Sequence, residues 1–278
     1  MLRFHQSLMA MLLFSNSIYA ADTNKKINIS GSLTLVSDYV LRGATNYPEK
    51  SDATLQGVLT LSYDSIYVSY FGSKLGYSFS EMQHKNKILT DPNLTDREKT
   101  ENIDVLRKPS SDYYEHDLIL GYKTSLDKWD LDFNMATYLY PGGKNTTSVE
   151  MGIFLNRLLN DRIGNSINLT LQTYLNDVVY ASQFDTYLTL SYLHPLINNF
   201  SLGLSSAFSY FNDNGKYEGG SFLNTTEDFA WRFTAVELSR PILKDQSALI
   251  SMKYIFGGEN RSGEGQKNMP VFSVSYNF

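Results

Sequence analysis

Cysteine is absent from the chain, and only 4 of its 278 residues are histidine. Without cysteine there are no disulfide frameworks, thiol nucleophiles or zinc–thiolate sites. No metal-ligand spacing, phosphate-binding glycine loop or nucleophile-elbow pattern is present either, so neither metal nor cofactor is expected. Also missing is a run approaching the roughly 18 consecutive apolar residues that a membrane helix requires. The mean hydropathy of −0.28 and the 19% of charged residues would ordinarily describe a soluble protein. A β-barrel escapes that inference, because only alternate residues face lipid. The formal net charge of −5 argues against nucleic acid as a partner.

What the chain does have is aromatic residues, glycine and alternation, with 20 Tyr, 16 Phe and 18 Gly. Over Met269 to Phe278 the residues Phe272, Val274, Tyr276 and Phe278 fall at every second position, with Ser273, Ser275 and Asn277 between them. That pattern describes a strand with one oily and one wet face. Ending on a bare Phe, it resembles the closing strand of a Gram-negative outer-membrane barrel. The resemblance implies that Phe272, Val274, Tyr276 and Phe278 form the signal read by the barrel-assembly machinery.

At the other end, Arg3 and His5 precede an apolar stretch from Leu8 to Phe14, and the segment closes on the small residue Ala20. This is the pattern of a secretory signal, 1–20, cleaved after Ala20. The expectation is export through the inner membrane, leaving 21–278 as a single outer-membrane β-barrel domain.

The alternation between these ends predicts an all-β fold, an antiparallel transmembrane barrel of about twelve strands. In the first, Ile29, Gly31, Leu33, Leu35, Tyr39 and Leu41 share one face and Asn28, Ser30, Ser32, Thr34, Asp38 and Arg42 the other. The second covers Thr54 to Tyr63, and Asp64 and Ser65 join it to 66–72 as a tight hairpin. A polar stretch, 73–112, then carries Pro92 and Pro109 without sustained periodicity and reads as a long extracellular loop able to fold into the lumen. Strands follow at 113–122, 129–140, 147–156, 166–176, 186–193, 200–211, 227–239, 247–257 and the closing segment.

An even strand number puts both chain ends on the periplasmic side. The connections that then face the periplasm (64–65, 123–128, 157–165, 194–199, 240–246) are short, while those on the other side are mostly long. Tyr39, Tyr63, Tyr113, Tyr114, Tyr122, Trp129, Tyr140, Tyr192, Phe200 and Tyr210 sit near strand ends, as interface girdles require.

SDYVLRG (Ser37 to Gly43), Leu55-Gln56-Gly57 and YLYPGG (Tyr138 to Gly143) resemble the TorF-family porins, also called Gcw_chp, Gram-negative outer-membrane proteins mostly of unknown function. The likeness runs in order from Ile29 to Phe278. The family name implies uptake of a small solute such as a methylamine oxide. That solute is not carried over, because the chain departs from the pattern in its 73–112 insertion and in having little Asp in its last hairpin.

If alternation holds, the inward charges are Asp38, Arg42, Glu115, Asp117, Asp130, Asp132, Glu150, Arg232 and Lys253. Unpaired charge is tolerable in a hydrated channel and prohibitive in a dry core. The expectation is a pore for passive diffusion of small hydrophilic solutes, weakly cation-preferring, with Asp130 and Asp132 nearest the periplasmic mouth and Arg42 near the outer one. Its partners are outer-membrane lipid and lipopolysaccharide, the assembly machinery and a small polar solute. Two alternatives stand beside it: a plugged structural or adhesive barrel, and an outer-membrane lipid hydrolase built on His116 with Ser110 or Ser111. No nucleophile motif supports the last, and the chain is read as a non-enzyme.

Overall fold

The computed structural model describes residues 27–105, 112–220 and 222–278. The expected leader, 1–20, and both Ser110 and Ser111 lie outside them. The strands are β1 (Ile27–Val36), β2 (Thr54–Tyr63), β3 (Ile66–Lys74), β4 (Tyr114–Leu126), β5 (Trp129–Leu139) and β6 (Ser148–Asn160). They continue with β7 (Asn165–Tyr174), β8 (Thr186–Pro195), β9 (Ser201–Tyr210), β10 (Phe229–Pro241), β11 (Ala248–Gly257) and β12 (Met269–Asn277). Each pairs antiparallel with its chain neighbours and β1 closes on β12, giving the expected twelve-strand barrel.

Closed hydrogen bonding removes every sheet edge, which is the condition for a sheet to sit in lipid. The period-2 pattern decides the two faces. Ile29, Leu33, Leu35, Leu55, Leu59, Leu61, Leu118 and Leu120 stand exposed on the outside, while Thr34, Ser62, Ser69, Ile119 and Ala136 are buried inside. Tight turns form where the sequence tolerates them: Asp64 and Asp127 take φ of 56° and 54°, a left-handed conformation that Asp adopts more readily than most residues. The five short connections share one end of the barrel with residues 27 and 278. The long ones crowd the other end.

Several local expectations are corrected. β1 stops at Val36, not beyond Leu41. The chain then turns inward, so Tyr39 is buried and pairs with Lys50 rather than facing lipid. Tyr140 is likewise buried inside, and Tyr113 donates to Glu81; none of these three belongs to an outer girdle. The polar loop, 75–113, is not featureless: it contains α1 (Phe79–Thr90) and α2 (Asp96–Val105). Ser78 caps α1 by accepting from the Glu81 N–H at 3.3 Å, and Thr95 and Glu98 bond reciprocally at the start of α2. No helix among the described residues is long and apolar enough to cross a membrane; the strands alone carry the apolar belt.

Candidate functional site

The lumen is built unevenly. Along β3 to β5 the inward positions carry bulk, with Tyr67, Phe71, Ile119, Ala136 and Tyr138 buried there. Loop residues Tyr39, Leu75, Phe79 and Tyr140 complete one cluster with them. Phe79, the first residue of α1, is the wedge: its ring meets Tyr140 edge-on at 4.9 Å and stacks on Tyr180 at 5.2 Å. Along β9 to β12 and β1 the inward positions divide: toward the long-loop end Val36, Ala207, Phe233, Ala235, Ile255 and Val271 form a second buried apolar cluster with Tyr187, and toward the short-turn end they are small. Ser205, Ser251, Ser273, Ser30 and Ser32 are only half-buried, and Ser251 and Ser273 bond to each other at 2.8 Å. Twelve strands fall between the filled eight-stranded and open sixteen-stranded barrels, and this one is filled along β3 to β5 and in the long-loop half of the opposite wall, with serines in the short-turn half of that wall.

Carboxylates sit among the aromatic side chains, and phenol hydroxyls satisfy them. Glu115, fully buried, accepts from Tyr39 at 2.8 Å and Tyr140 at 3.0 Å. Glu150 accepts from Tyr138 at 2.8 Å and from Arg42 at 2.7 Å. Arg42 also donates to the Tyr174 hydroxyl at 2.9 Å, and its guanidinium lies 5.2 Å from the centres of both the Tyr174 and Tyr187 rings. It reaches them from the loop after β1, where Arg42 and Gly43 take φ of 50° and 75°. In that loop, burial pushes the Glu49 carboxyl up to about 7, against the Tyr77 hydroxyl and nearby Arg42, which favour its charged form.

Each residue expected to line the lumen can be located. Arg42 and Asp38 lie in the inward-folded loop, not on β1, and Asp38 is half-buried. Asp117 is 1% exposed, and its Oδ1 has no hydrogen-bond partner among the described residues. Asp132 accepts from Tyr67 at 2.9 Å and lies 3.9 Å from Lys123. Asp130 is exposed at the short-turn rim, bonded to Ser125 at 2.9 Å. Lys253 stands 3.3 Å from Glu237, directly opposite it across β10 and β11. Arg232 is buried at a β-bulge in β10.

Lys123 was hidden because β4 runs on to Leu126, through a segment read as turn; Glu237 was hidden because the bulge after Trp231 flips the parity of β10, so that the alternation selecting Arg232 would have put Glu237 outside. Of the hydrolase candidates, His116 lies on the outer face, its Nδ1 2.6 Å from the Tyr70 hydroxyl and its ring stacked with Tyr70 and Tyr114. At the closing seam Phe272, Val274, Tyr276 and Phe278 all point outward and are exposed.

Sequence reading missed the outer vestibule. A cavity of about 410 Å³ opens at the long-loop end, lined among others by Arg42, Tyr187, Phe211, Arg232 and Arg261. Arg261, from the loop between β11 and β12, binds Asp185, which precedes β8, at 2.9 Å. Burial raises the Asp185 carboxyl from its ordinary value, and Arg261 works against that rise.

The family model Gcw_chp, described as a bacterial protein of unknown function, matches residues 20–218. Among solved structures the chain is similar to the KdgM porin, at 7% identity and a TM-score of 0.50, covering 90% of this chain and 98% of that one. It is also similar to the NanC porin in its rhombohedral crystal form, at 9% identity and a TM-score of 0.47, covering 90% of this chain and 99% of that one. An outer membrane channel from Pseudomonas putida F1 is similar at 11% identity and a TM-score of 0.46, with 90% and 94% of the two chains covered. These neighbours are outer-membrane porins and channels, and at such identities the likeness is one of fold. No curated protein matches the sequence.

Proposed function

The chain belongs to the Gcw_chp family, bacterial proteins of unknown function, and on that premise we propose that it is a porin-like channel of the outer membrane, passing small hydrophilic solutes by passive diffusion. The observation that carries this is the division of the barrel into an apolar outer belt and a half-buried serine patch in the short-turn half of β9 to β12 and β1. Small polar side chains leave room for water beside them, which a filled core would not.

In this reading the leader 1–20 directs export, the outward Tyr63, Tyr122 and Trp129 meet lipid headgroups, and lipopolysaccharide surrounds the long-loop end. The assembly machinery reads Phe272, Val274, Tyr276 and Phe278. Asp38, Arg42, Asp130, Asp132, Arg232 and Lys253 border the path, while Glu115, Asp117 and Glu150 stand buried in the wall behind it. A weak preference for bulk cations arises at the short-turn mouth, where Asp130 is exposed and Asp132 is shared between Tyr67 and Lys123. Conductance of the refolded barrel in a planar bilayer tests the proposal.

A second reading, a plugged structural or adhesive barrel, is favoured by one observation, the wedge of Phe79 among Tyr140, Tyr180 and the β3 to β5 wall. Phe79→Ala separates the two. In a channel narrowed by the wedge it raises single-channel conductance measurably; in a plugged barrel wild type and variant are both silent.

A further inference from the structure

The vestibule is lined by three arginines, and their surroundings differ. Arg42 is committed to Glu150 at 2.6 Å. Arg261 is committed to Asp185, and that carboxylate is saturated by the further N–H groups of Asn212 at 2.8 Å and Ser182 at 2.9 Å. Arg261 also reaches Thr225 at 2.9 Å, with Glu218 4.0 Å away. Arg232 has no carboxylate within ion-pair distance among the described residues. It is 7% exposed, donates through Nη1 to the Glu259 carbonyl, and lies 5.4 Å from the Phe211 ring centre. A carbonyl and a ring face leave most of the five guanidinium N–H donors and the whole positive charge unanswered.

This exposure of charge to the cavity is built by the backbone. The β9 to β10 pairing skips a residue between Trp231 and Phe233, and the bulge leaves Arg232 and Phe233 both buried on the inside. Bulges of this kind re-aim a side chain. The loop after β11 pins it in place: the Gly258 N–H donates to the Arg232 carbonyl at 3.0 Å and the Glu259 N–H to the Trp231 carbonyl at 2.8 Å. The loop after β1 presses from the other side at Gly43, where a Cβ would lie 2.7 Å from the Phe233 ring and 2.9 Å from the Arg232 carbonyl oxygen.

We propose that the vestibule is a binding site for a small organic carboxylate, whose anionic group pairs with Arg232 while its body rests against Phe211 and Tyr187. One unmatched positive charge fits a monoanion. A phosphate dianion asks for a second free cation, and the other two arginines are already neutralised. The fork of Arg232 suits a planar carboxylate in a two-bond pairing. The volume of about 410 Å³ lies at the small end of ligand pockets. This names the solute class for the proposed channel and rests on that reading as to what passes through. Capture of the anion and preference for bulk cations are separate properties at opposite ends of the lumen.

The test is calorimetric titration of the folded, detergent-solubilised barrel, which needs no conduction and so fails independently of the channel proposal. Benzoate, its neutral analogue benzamide and phenyl phosphate are the probes. Benzoate binds wild type, benzamide at least tenfold more weakly. Phenyl phosphate binds no tighter than benzoate. Arg232→Met loses benzoate binding by tenfold or more and Arg232→Lys by less. Equal binding of benzoate and benzamide, tighter binding of phenyl phosphate, or no benzoate binding to wild type overturns the assignment without any variant. Unchanged benzoate binding by heat-modifiable Arg232→Met overturns it as well.

Discussion

Arg42 Nη2 lies 2.6 Å from Glu150 Oε1, joining a loop residue to β6 across 108 positions of sequence. The pair ties the inward-folded loop to the barrel wall, and Glu150 is 2% exposed. Removing one partner strands the other charge away from bulk water, which typically costs about 3 kcal/mol or more. Arg42→Met is expected to lower the free energy of unfolding by that order and to widen conductance fluctuations as the loop loosens. Arg42→Met/Glu150→Met removes both charges and recovers most of the stability. A double variant no more stable than the single one contradicts this account, and denaturant titration of the three proteins decides.

Glu49 predicts a pH dependence. Its carboxyl is raised from 4.5 to about 7 in the folded loop, chiefly by desolvation, so the folded state holds this proton more firmly than the unfolded one. Its contribution to stability is therefore complete below 4.5 and is lost as pH rises to about 7. The loop it holds, through the Tyr77 hydroxyl and the Gly76 N–H donating to the Glu49 carbonyl at 2.6 Å, should open more often at the upper end of that interval. Glu49→Gln should flatten the profile, as read by hydrogen exchange in residues 39–50 between pH 4.5 and 7.5. Identical slopes in the two proteins would remove Glu49 as the cause.

Closure of the barrel depends on Gly31. It exchanges backbone hydrogen bonds with Phe278 at 2.9 and 3.0 Å, and a Cβ at Gly31 would lie 2.6 Å from both the Phe278 ring and the Val58 carbonyl oxygen. Gly31→Val therefore forces the seam apart, at about 1 to 3 kcal/mol for overpacking of this kind. A reduced heat-modifiable fraction on refolding is the expected result; a fraction equal to wild type would show that the seam accommodates the side chain.

The strands were legible because a lipid-facing strand has to alternate, and β2 falls where its alternation begins and ends. The same rule misled at Tyr39, since period 2 distinguishes two faces but not lipid from an aromatic wedge; Tyr39 kept parity past Val36 and turned inside. Helix α1 was readable in the N-cap Ser78 with Glu81 three residues on, and α2 in the capping box of Thr95 and Glu98, within a stretch that shows no apolar periodicity. The vestibule was not readable. Arg261 meets Asp185 across 76 residues only after two loops fold over the mouth, and the inward turn of Arg232 is set by a bulge that no local pattern announces.

The most direct test of the channel proposal is the single-channel conductance and zero-current potential of the refolded barrel, residues 21–278, in a planar bilayer across a salt gradient, with Asp130→Asn/Asp132→Asn alongside. The account predicts small, steady steps with a potential on the cation side that moves toward zero in the double variant. A folded, heat-modifiable barrel that passes no current at any voltage contradicts it.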